Sequence, residues 1–258
     1  MTTRTVDNPK VVSRDEWIAA RKQLLAKEKE LTRQRDAIAA ERRQLPWVKV
    51  EKNHVFDSAT GKKTLADLFD GRSQLIIYHF MFGPEWQEGC PSCSFNMDHT
   101  DPALVHLAQR DVSFAAVSRA PIAQIESFKK RMGWKFNWVS SYNTDFNFDY
   151  QASFTPEQIR KGKVEYNFAI TEFPSTEGPG ISVFYKDNDG NVFHTYSAYA
   201  RGSESTINSY NYLDLVPKGR DEDGLPFTMA WLRHHDRYED RRLADSDRPY
   251  WPKVALQA

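Results

Sequence analysis

The first part of the chain carries single apolar residues at a fixed interval within a strongly charged background. The apolar positions that recur every seven residues are Trp17, Leu24, Leu31, Ile38 and Leu45. Ser13 and Glu16 have the spacing of a capping box, which predicts a helix that begins at Ser13, and Pro46 is expected to end it. The positions that would complete a coiled-coil seam are mostly polar. We therefore expect one long helix or a helical hairpin that packs on the main domain through a narrow stripe, or else an arm for oligomerisation.

After Pro46 the pattern changes to short apolar runs separated by turn residues and helical segments. The run Gln74–Phe80 (QLIIYHF) is almost continuously apolar, as expected for a strand covered on both faces. Asn188-Asp189-Gly190 separates two further runs and predicts a β-hairpin. The other predicted strands cover Val48–Phe56, Val112–Val117, Phe136–Val139, Ile181–Lys186 and Val192–Ser197, and the predicted helices cover Pro91–Arg110, Pro121–Met132, Glu204–Leu213 and Phe227–Tyr238. This order predicts an α/β fold with a mixed β-sheet flanked by helices.

These patterns divide the chain into three segments. We expect an N-terminal helical arm over residues 1–45, a main domain over residues 46–218 and a polar C-terminal extension over residues 219–258. Within the main domain, residues from about 140 to 177 are irregular and rich in aromatic side chains, which indicates an insertion. Asp145–Tyr150 (DFNFDY) alternates aromatic and polar residues, which is compatible with core packing, an edge strand or the wall of a substrate groove.

The composition is that of an ordinary globular protein. Hydrophobic residues make up 40% of the chain, and 35 Lys and Arg balance 35 Asp and Glu. Because no net charge attracts nucleic acid or an anionic membrane, we expect neither as a partner. The N-terminal residues lack the apolar core of a secretory signal, and no stretch reaches the ~18 apolar residues of a membrane span. We therefore expect a cytoplasmic protein, and structural disulfides are uncommon in that compartment.

Cys90 and Cys93, the two cysteines of the chain, stand where the buried strand leads into a helix. Pro91 favours the first helical position, which makes Cys90 the N-cap. The unpaired amides and the positive end of the helix dipole favour a thiolate at Cys90. Cys93 follows one turn later, so the pair can form an intramolecular disulfide in which Cys90 attacks and Cys93 resolves. Two inert thiols and a zinc site stay open as alternatives, although the sequence offers no second Cys-x-x-Cys.

Two stretches resemble the landmarks of the thioredoxin superfamily. Thr64–Cys93 (TLADLFDGRSQLIIYHFMFGPEWQEGCPSC) looks like its entry strand and active-site loop. Gly178–Phe184 (GPGISVF) looks like its second landmark, a cis-proline before a strand that faces the cysteines, with Pro179 as that proline. At closer range, Pro9–Asp240 resembles a bacterial family of unknown function that is labelled predicted dithiol-disulfide oxidoreductase. Stretches that carry this likeness include YHFMFGPEWQEGCPSCSF, FAAVSRAPIAQIE, PGISVFY, FHTYSAYARG and MAWLRHHDRYE.

The resemblance implies a thioredoxin-like domain that exchanges thiols and disulfides. Cys90 is the expected nucleophile, Cys93 the expected resolving cysteine, and Pro179 is expected to shape a substrate groove beside them. The implied partners are a thiol or disulfide substrate, either a protein or a small molecule, and an unidentified reductant. No cofactor and no metal are expected. If the protein is a homodimer, the N-terminal helix is the expected contact.

The chain also departs from the thioredoxin pattern. Trp86 stands four residues before the first cysteine rather than next to it, and the strand carries Tyr78 and His79 where thioredoxins have a buried Asp. His79 is therefore a candidate for handling the resolving cysteine's proton. Glu88 would raise the pKa of a nearby thiol, whereas Arg119, at the start of a helix that follows a strand, would favour a thiolate.

Two other functions stay open. The first is a thiol peroxidase. Peroxiredoxins place Pro and Thr seven and three residues before the reactive cysteine, and Gly83 and Gln87 occupy those positions here, which argues against it. The second is a non-catalytic binding module that keeps the fold and presents the aromatic groove.

Overall fold

The structure is a computed structural model and describes residues 9–238; the expectations for residues 1–8 and 239–258 fall outside this range. The predicted N-terminal helix is present as α1 (Arg14–Arg42), and both hydrogen bonds of the Ser13–Glu16 capping box are formed. No residue of α1, all of which the structure describes, is buried. The expectation that its stripe packs on the main domain is therefore wrong. None of the described helices is both long and apolar enough to cross a membrane.

The remaining elements follow in chain order. The strands of the described residues are β1 (Val48–Lys49), β2 (Val55–Ser58), β3 (Gly61–Thr64), β4 (Gln74–His79), β5 (Val112–Ser118), β6 (Asn137–Ser140), β7 (Val164–Tyr166), β8 (Ala169–Thr171), β9 (Gly180–Lys186) and β10 (Val192–Tyr199). The helices after α1 are α2 (Pro91–Thr100), α3 (Leu104–Ala108), α4 (Ile122–Met132), α5 (Phe146–Asp149), α6 (Pro156–Arg160) and α7 (Asn208–Leu213). Short 3-10 helices cover Ala66–Phe69, Asp101–Ala103, Ala200–Thr206 and His235–Arg237.

One mixed sheet of eight described strands organises the domain, in the order β1-β10-β9-β4-β5-β6-β2-β3. β4, β5 and β6 run parallel, whereas β9 is antiparallel to β4 and β10 is antiparallel to β9. α2 and α3 lie on the crossover from β4 to β5, and the predicted hairpin of β9 and β10 returns beside β4. The four strands β10-β9-β4-β5 therefore have the order and directions of the thioredoxin fold, which confirms the expected fold class.

The sheet separates two apolar cores. One contains the two cysteines together with Tyr78, Phe80 and Trp138. The other contains Leu75, Ile77, Phe146 and Phe184. Successive side chains of a strand point to opposite faces, so the residues of β4 divide between the cores according to their position along the strand. This alternation decides which of the polar residues near the end of β4 can reach the thiols.

Three local predictions can be compared with the structure. The strand predicted over Val48–Phe56 is interrupted, since β1 and β2 lie at separate places in the sheet. Asp145–Tyr150 contains α5 and buries Phe146 in the second core, so the core-packing alternative is confirmed and the edge-strand alternative is wrong.

The helix predicted over Phe227–Tyr238 is absent, since this described stretch holds turns and the short 3-10 helix His235–Arg237. There, His234 has an extended backbone, and its side chain hydrogen-bonds to the carbonyl oxygen of Gly89 at 2.8 Å. In residues 227–238, contacts with distant parts of the chain stand in place of the hydrogen bonds of a helix.

Candidate functional site

The cysteine loop joins the end of β4 to the start of α2. Its ends are tied together, because the amide of Cys90 donates to the carbonyl oxygen of Met81 at 3.0 Å. The loop also needs a glycine before the first cysteine, since a Cβ on Gly89 would lie 2.6 Å from the ring of Phe80. Cys90 is the N-cap of α2 and Pro91 is at its start, which confirms the prediction from the sequence.

Both thiols are free and lie inside the protein. Cys90 and Cys93 are each 1% exposed, and their side chains hydrogen-bond to each other. The amides of Ser92 and Cys93 hydrogen-bond to the sulfur of Cys90. The sulfur of Cys93 accepts from the amide of Met81 at 3.5 Å and from the hydroxyl of Tyr78. Cys93 thus has three donors around it: a thiol, an amide and a phenol.

The two sulfurs differ in how easily they ionise. Burial, together with the hydrogen bond to Cys93 and the negative charge of Cys93, raises the pKa of Cys90 well above its ordinary value. Burial also acts to raise the pKa of Cys93, but the hydrogen bonds from Cys90, Tyr78 and the Met81 amide outweigh it and lower that pKa. The hydrogen bonds around the pair therefore favour negative charge on Cys93, and the assignment of Cys90 as the nucleophile stays a prediction.

Tyr78, rather than His79, is the residue of β4 that reaches the thiols. Burial raises the pKa of Tyr78 well above its ordinary value, so its hydroxyl stays protonated and donates to Cys93. His79 points to the opposite face, where its Nε2 shares a hydrogen bond of 2.9 Å with the hydroxyl of Ser182 and its ring stacks on Phe146. Burial lowers the pKa of His79 to about 3. The proposed role of His79 at the resolving cysteine is therefore wrong.

Arg119 does not face the thiols either. Its guanidinium donates to Glu177 at 2.7 Å and lies over the ring of Phe148, 4.6 Å from the ring centre. Glu177 is 1% exposed and also accepts from the hydroxyl of Ser153 at 2.6 Å. Burial raises the pKa of Glu177 to about 7, against the opposing influence of Arg119. The expected thiolate-stabilising role of Arg119 is replaced by a buried ion pair.

Glu88 lies in the cysteine loop, but its carboxylate is occupied by ion pairs. It accepts from Arg131 at 2.7 Å and from Arg237 at 2.8 Å. Arg131 also donates to Nδ1 of His234, whose Nε2–H donates to the carbonyl oxygen of Gly89. Burial lowers the pKa of His234 to about 4, so the ring is neutral. These bonds attach the C-terminal segment (residues 230–238) to the loop immediately before Cys90.

Trp86 and Pro179 have different relations to the cysteines. Trp86 packs on the loop itself, since a Cβ on Gly83 would lie 2.9 Å from its Nε1. The structure has no cis peptide bond within residues 9–238, so the expectation of a cis Pro179 is wrong. Pro179 nevertheless lines the same cavity as Cys90 and Cys93.

A cavity of about 300 Å³ opens beside the two sulfurs. Besides the cysteines, its lining includes Tyr78, Met81 and Pro179. A second cavity of about 560 Å³ shares four lining residues with it, so the two spaces are neighbours; the shared residues are Arg201, Glu204, Thr228 and Met229. Within residues 9–238, no group of three or more His, Cys, Asp and Glu side chains could hold a metal ion.

Comparison with known families shows the family to which the chain belongs. The family described as "Bacterial protein of unknown function (DUF899)" matches residues 6–238. The chain belongs to this family. No curated protein matches this DUF899 member.

Several solved structures are similar to this DUF899 member in fold alone. Peroxiredoxin Q of Xylella fastidiosa is 14% identical, with a TM-score of 0.41 over 64% of this chain and 94% of that one. Peroxidoxin BcpB of Mycobacterium tuberculosis is 13% identical, with a TM-score of 0.39 over 64% and 92%. A candidate protein disulfide isomerase of Bacteroides thetaiotaomicron is 16% identical, with a TM-score of 0.35 over 65% and 91%.

Proposed function

We propose that the protein is a thiol–disulfide oxidoreductase whose redox pair is Cys90 and Cys93. The observation that carries this proposal is the hydrogen-bonded pair of free thiols beside a cavity. A thiolate is the species that attacks a disulfide. A merely structural pair of buried thiols would have no need of three donors around one sulfur.

The arrangement gives each sulfur a role. The proton of Cys90 moves along the hydrogen bond to Cys93, and the new Cys90 thiolate is held by the amides of Ser92 and Cys93 at the start of α2. Cys90 attacks a substrate RS–SR′, the substrate S–S bond breaks, and the leaving R′S⁻ takes the proton from Cys93. The Cys93 thiolate, stabilised again by Tyr78 and the Met81 amide, then attacks the mixed disulfide and releases RS⁻.

The balance of this reaction is simple. One Cys90 thiol, one Cys93 thiolate and RS–SR′ give the Cys90–Cys93 disulfide, R′SH and RS⁻, so two electrons pass from the protein to the substrate. An external thiol reductant returns the pair by the reverse steps.

Single cysteine variants test this order of events. With bis(2-hydroxyethyl) disulfide as the oxidant, Cys93→Ser should accumulate a mixed disulfide on Cys90, whereas the unaltered protein should end with an internal disulfide and no adduct. Cys90→Ser should form adduct more slowly, because the Cys93 sulfur is held by hydrogen bonds from Tyr78 and the Met81 amide that lower its nucleophilicity. Intact mass distinguishes the three products. Full turnover by Cys90→Ser would contradict the assignment of Cys90 as the nucleophile, and the absence of any disulfide in the unaltered protein would contradict the function itself.

A further inference from the structure

The position of the two sulfurs restricts what can reach them. Both cysteines are 1% exposed, and both line the cavity of about 300 Å³ described above. We propose that the substrates of the redox pair are low-molecular-mass disulfides and thiols rather than disulfides carried by folded proteins. This inference rests on the proposed function and adds the substrate class.

The size of the cavity supports a small substrate. Pockets that hold small molecules commonly start at about 300 Å³, and this cavity lies at that lower limit. Attack on a disulfide brings the nucleophile against one sulfur on the side opposite the leaving sulfur. The substrate must therefore place its S–S bond inside the cavity. A disulfide fixed between two segments of a folded protein brings too much backbone with it to enter.

The walls of the cavity divide into an apolar part and a charged rim. Met81, Pro179 and Ile207 are apolar members of the lining, and the amide of Met81 contacts the sulfur of Cys93. At the rim, the guanidinium of Arg201 donates to Glu204 at 2.7 Å, and the side chain of Arg201 is 87% exposed. An unbranched substituent of a small disulfide can occupy the apolar part of the cavity while the polar group at its end stays at the rim.

The neighbouring cavity provides room for the other half of such a molecule. It has a volume of about 560 Å³ and shares Arg201, Glu204, Thr228 and Met229 with the first. One half of RS–SR′ can therefore lie beside the thiols while the half that leaves first extends past Thr228 and Met229. The reaction is the one given above: the substrate S–S bond breaks, the Cys90–Cys93 bond forms, and RS⁻ and R′SH leave through the rim.

Two probes with the same reacting bond test this proposal on the reduced full-length protein. The small probe is N-acetylcysteine joined to 2-mercaptoethanol as a mixed disulfide. The large probe is a folded protein whose one exposed cysteine carries the same 2-mercaptoethanol disulfide. The second-order rate constant for oxidation of the Cys90–Cys93 pair, read by intact mass, should be at least about 100-fold higher for the small probe.

A variant of the rim gives an independent readout. Thr228 is exposed and lines both cavities, so Thr228→Trp should narrow the entrance and slow oxidation by the small probe at least about tenfold without lowering the melting temperature. Thr171→Trp, at an exposed position of β8 outside both cavities, is the matched control and should leave the rate unchanged.

The outcomes separate the inference from the proposed function. Equal rates for the two probes, or no effect of Thr228→Trp, would overturn the restriction to small substrates and leave the oxidoreductase function standing. Failure of both probes to oxidise the pair would overturn the proposed function together with the inference.

Discussion

Tyr78 sets the chemistry of the cysteine pair at the scale of single residues. Its hydroxyl donates to Cys93 from inside the core, where burial keeps the phenol protonated. The Met81 amide and the Cys90 thiol donate to the same sulfur. A buried charge is tolerable when hydrogen bonds of this kind replace the lost water. The lowered pKa of Cys93 is therefore a property of three named donors.

Removal of the Tyr78 hydroxyl should weaken this thiolate. A hydrogen bond to a charged group contributes roughly 1.5–3 kcal/mol, so Tyr78→Phe should raise the pKa of Cys93 by about one to two units. The thiolate absorbance followed through a pH titration measures this pKa. Tyr142→Phe, at an exposed position, is the control. An unchanged titration in Tyr78→Phe would show that the phenol does not stabilise the charge.

The cysteines, the N-cap and Pro91 could be predicted from the sequence because they depend on neighbours in the chain. The location of the charge could not, since it depends on donors that the fold brings from β4 and from the loop. Tyr78 and His79 are adjacent in the sequence, and the face of the sheet that each one occupies follows from the pairing of β4 with β5 and β9. The local sequence pattern does not show which of the two residues faces the cysteines.

At the scale of elements, α1 presents its apolar residues to solvent. Leu24 and Leu31 are 52% and 50% exposed. Leu24→Gln combined with Leu31→Gln should therefore change the free energy of unfolding by less than about 0.5 kcal/mol. Leu75→Ala, which removes a fully buried side chain of β4, is the contrast and should cost roughly 2–5 kcal/mol. Denaturant titration measures both values, and a loss above about 1.5 kcal/mol from the α1 pair would show that its stripe is covered.

The C-terminal segment responds to pH through His234. Its pKa is lowered to about 4 from an ordinary value of 6.5, so the neutral ring is the form that the fold favours. This contribution to stability is fully present above pH 6.5 and is lost as the pH falls through 4. His234→Gln cannot gain a proton, and it should reduce the fall in the free energy of unfolding between pH 6.5 and 4 by up to roughly 3 kcal/mol.

A matched control isolates this effect. The pKa of His79 is lowered to about 3, so this residue also makes the protein less stable as the pH falls from 6.5 to 4. His79 is unchanged in His234→Gln, so its share of the loss remains in that variant. His106→Gln, at an exposed position, is the control for the His-to-Gln substitution itself. If His234→Gln and the unaltered protein lose stability in parallel, the buried ring is not what attaches the segment.

Element prediction succeeded where the signal was local. The capping box of α1 and the Asp-Gly hairpin of β9 and β10 are present as predicted. The alternation of aromatic and polar residues in Asp145–Tyr150 left core packing, an edge strand and a groove wall open, and the buried Phe146 of α5 confirms core packing. The helix predicted over Phe227–Tyr238 failed because His234 binds Gly89, a residue 145 positions away in the chain.

At the scale of the whole molecule, the thioredoxin-like order of strands places the thiols, the apolar cavity and the C-terminal segment together. β4 supplies Tyr78, and β9 begins directly after Pro179. The chain belongs to the DUF899 family, whose function is unknown. The chemistry of the protein therefore follows from the residues of the site and not from the family or the fold. The fold class could be predicted from the strand and helix pattern. The enclosure of both sulfurs could not, since it depends on the packing of residues 200–229 against α2.

The central claim is that Cys90 and Cys93 form a reversible redox disulfide. The most direct test is to equilibrate the full-length protein, free of metal, in glutathione buffers of graded potential and to read the oxidation state of the pair by intact mass. The account predicts a reversible two-electron transition within about −120 to −270 mV, the range of catalytic dithiols. A pair that stays fully reduced across that range would contradict it.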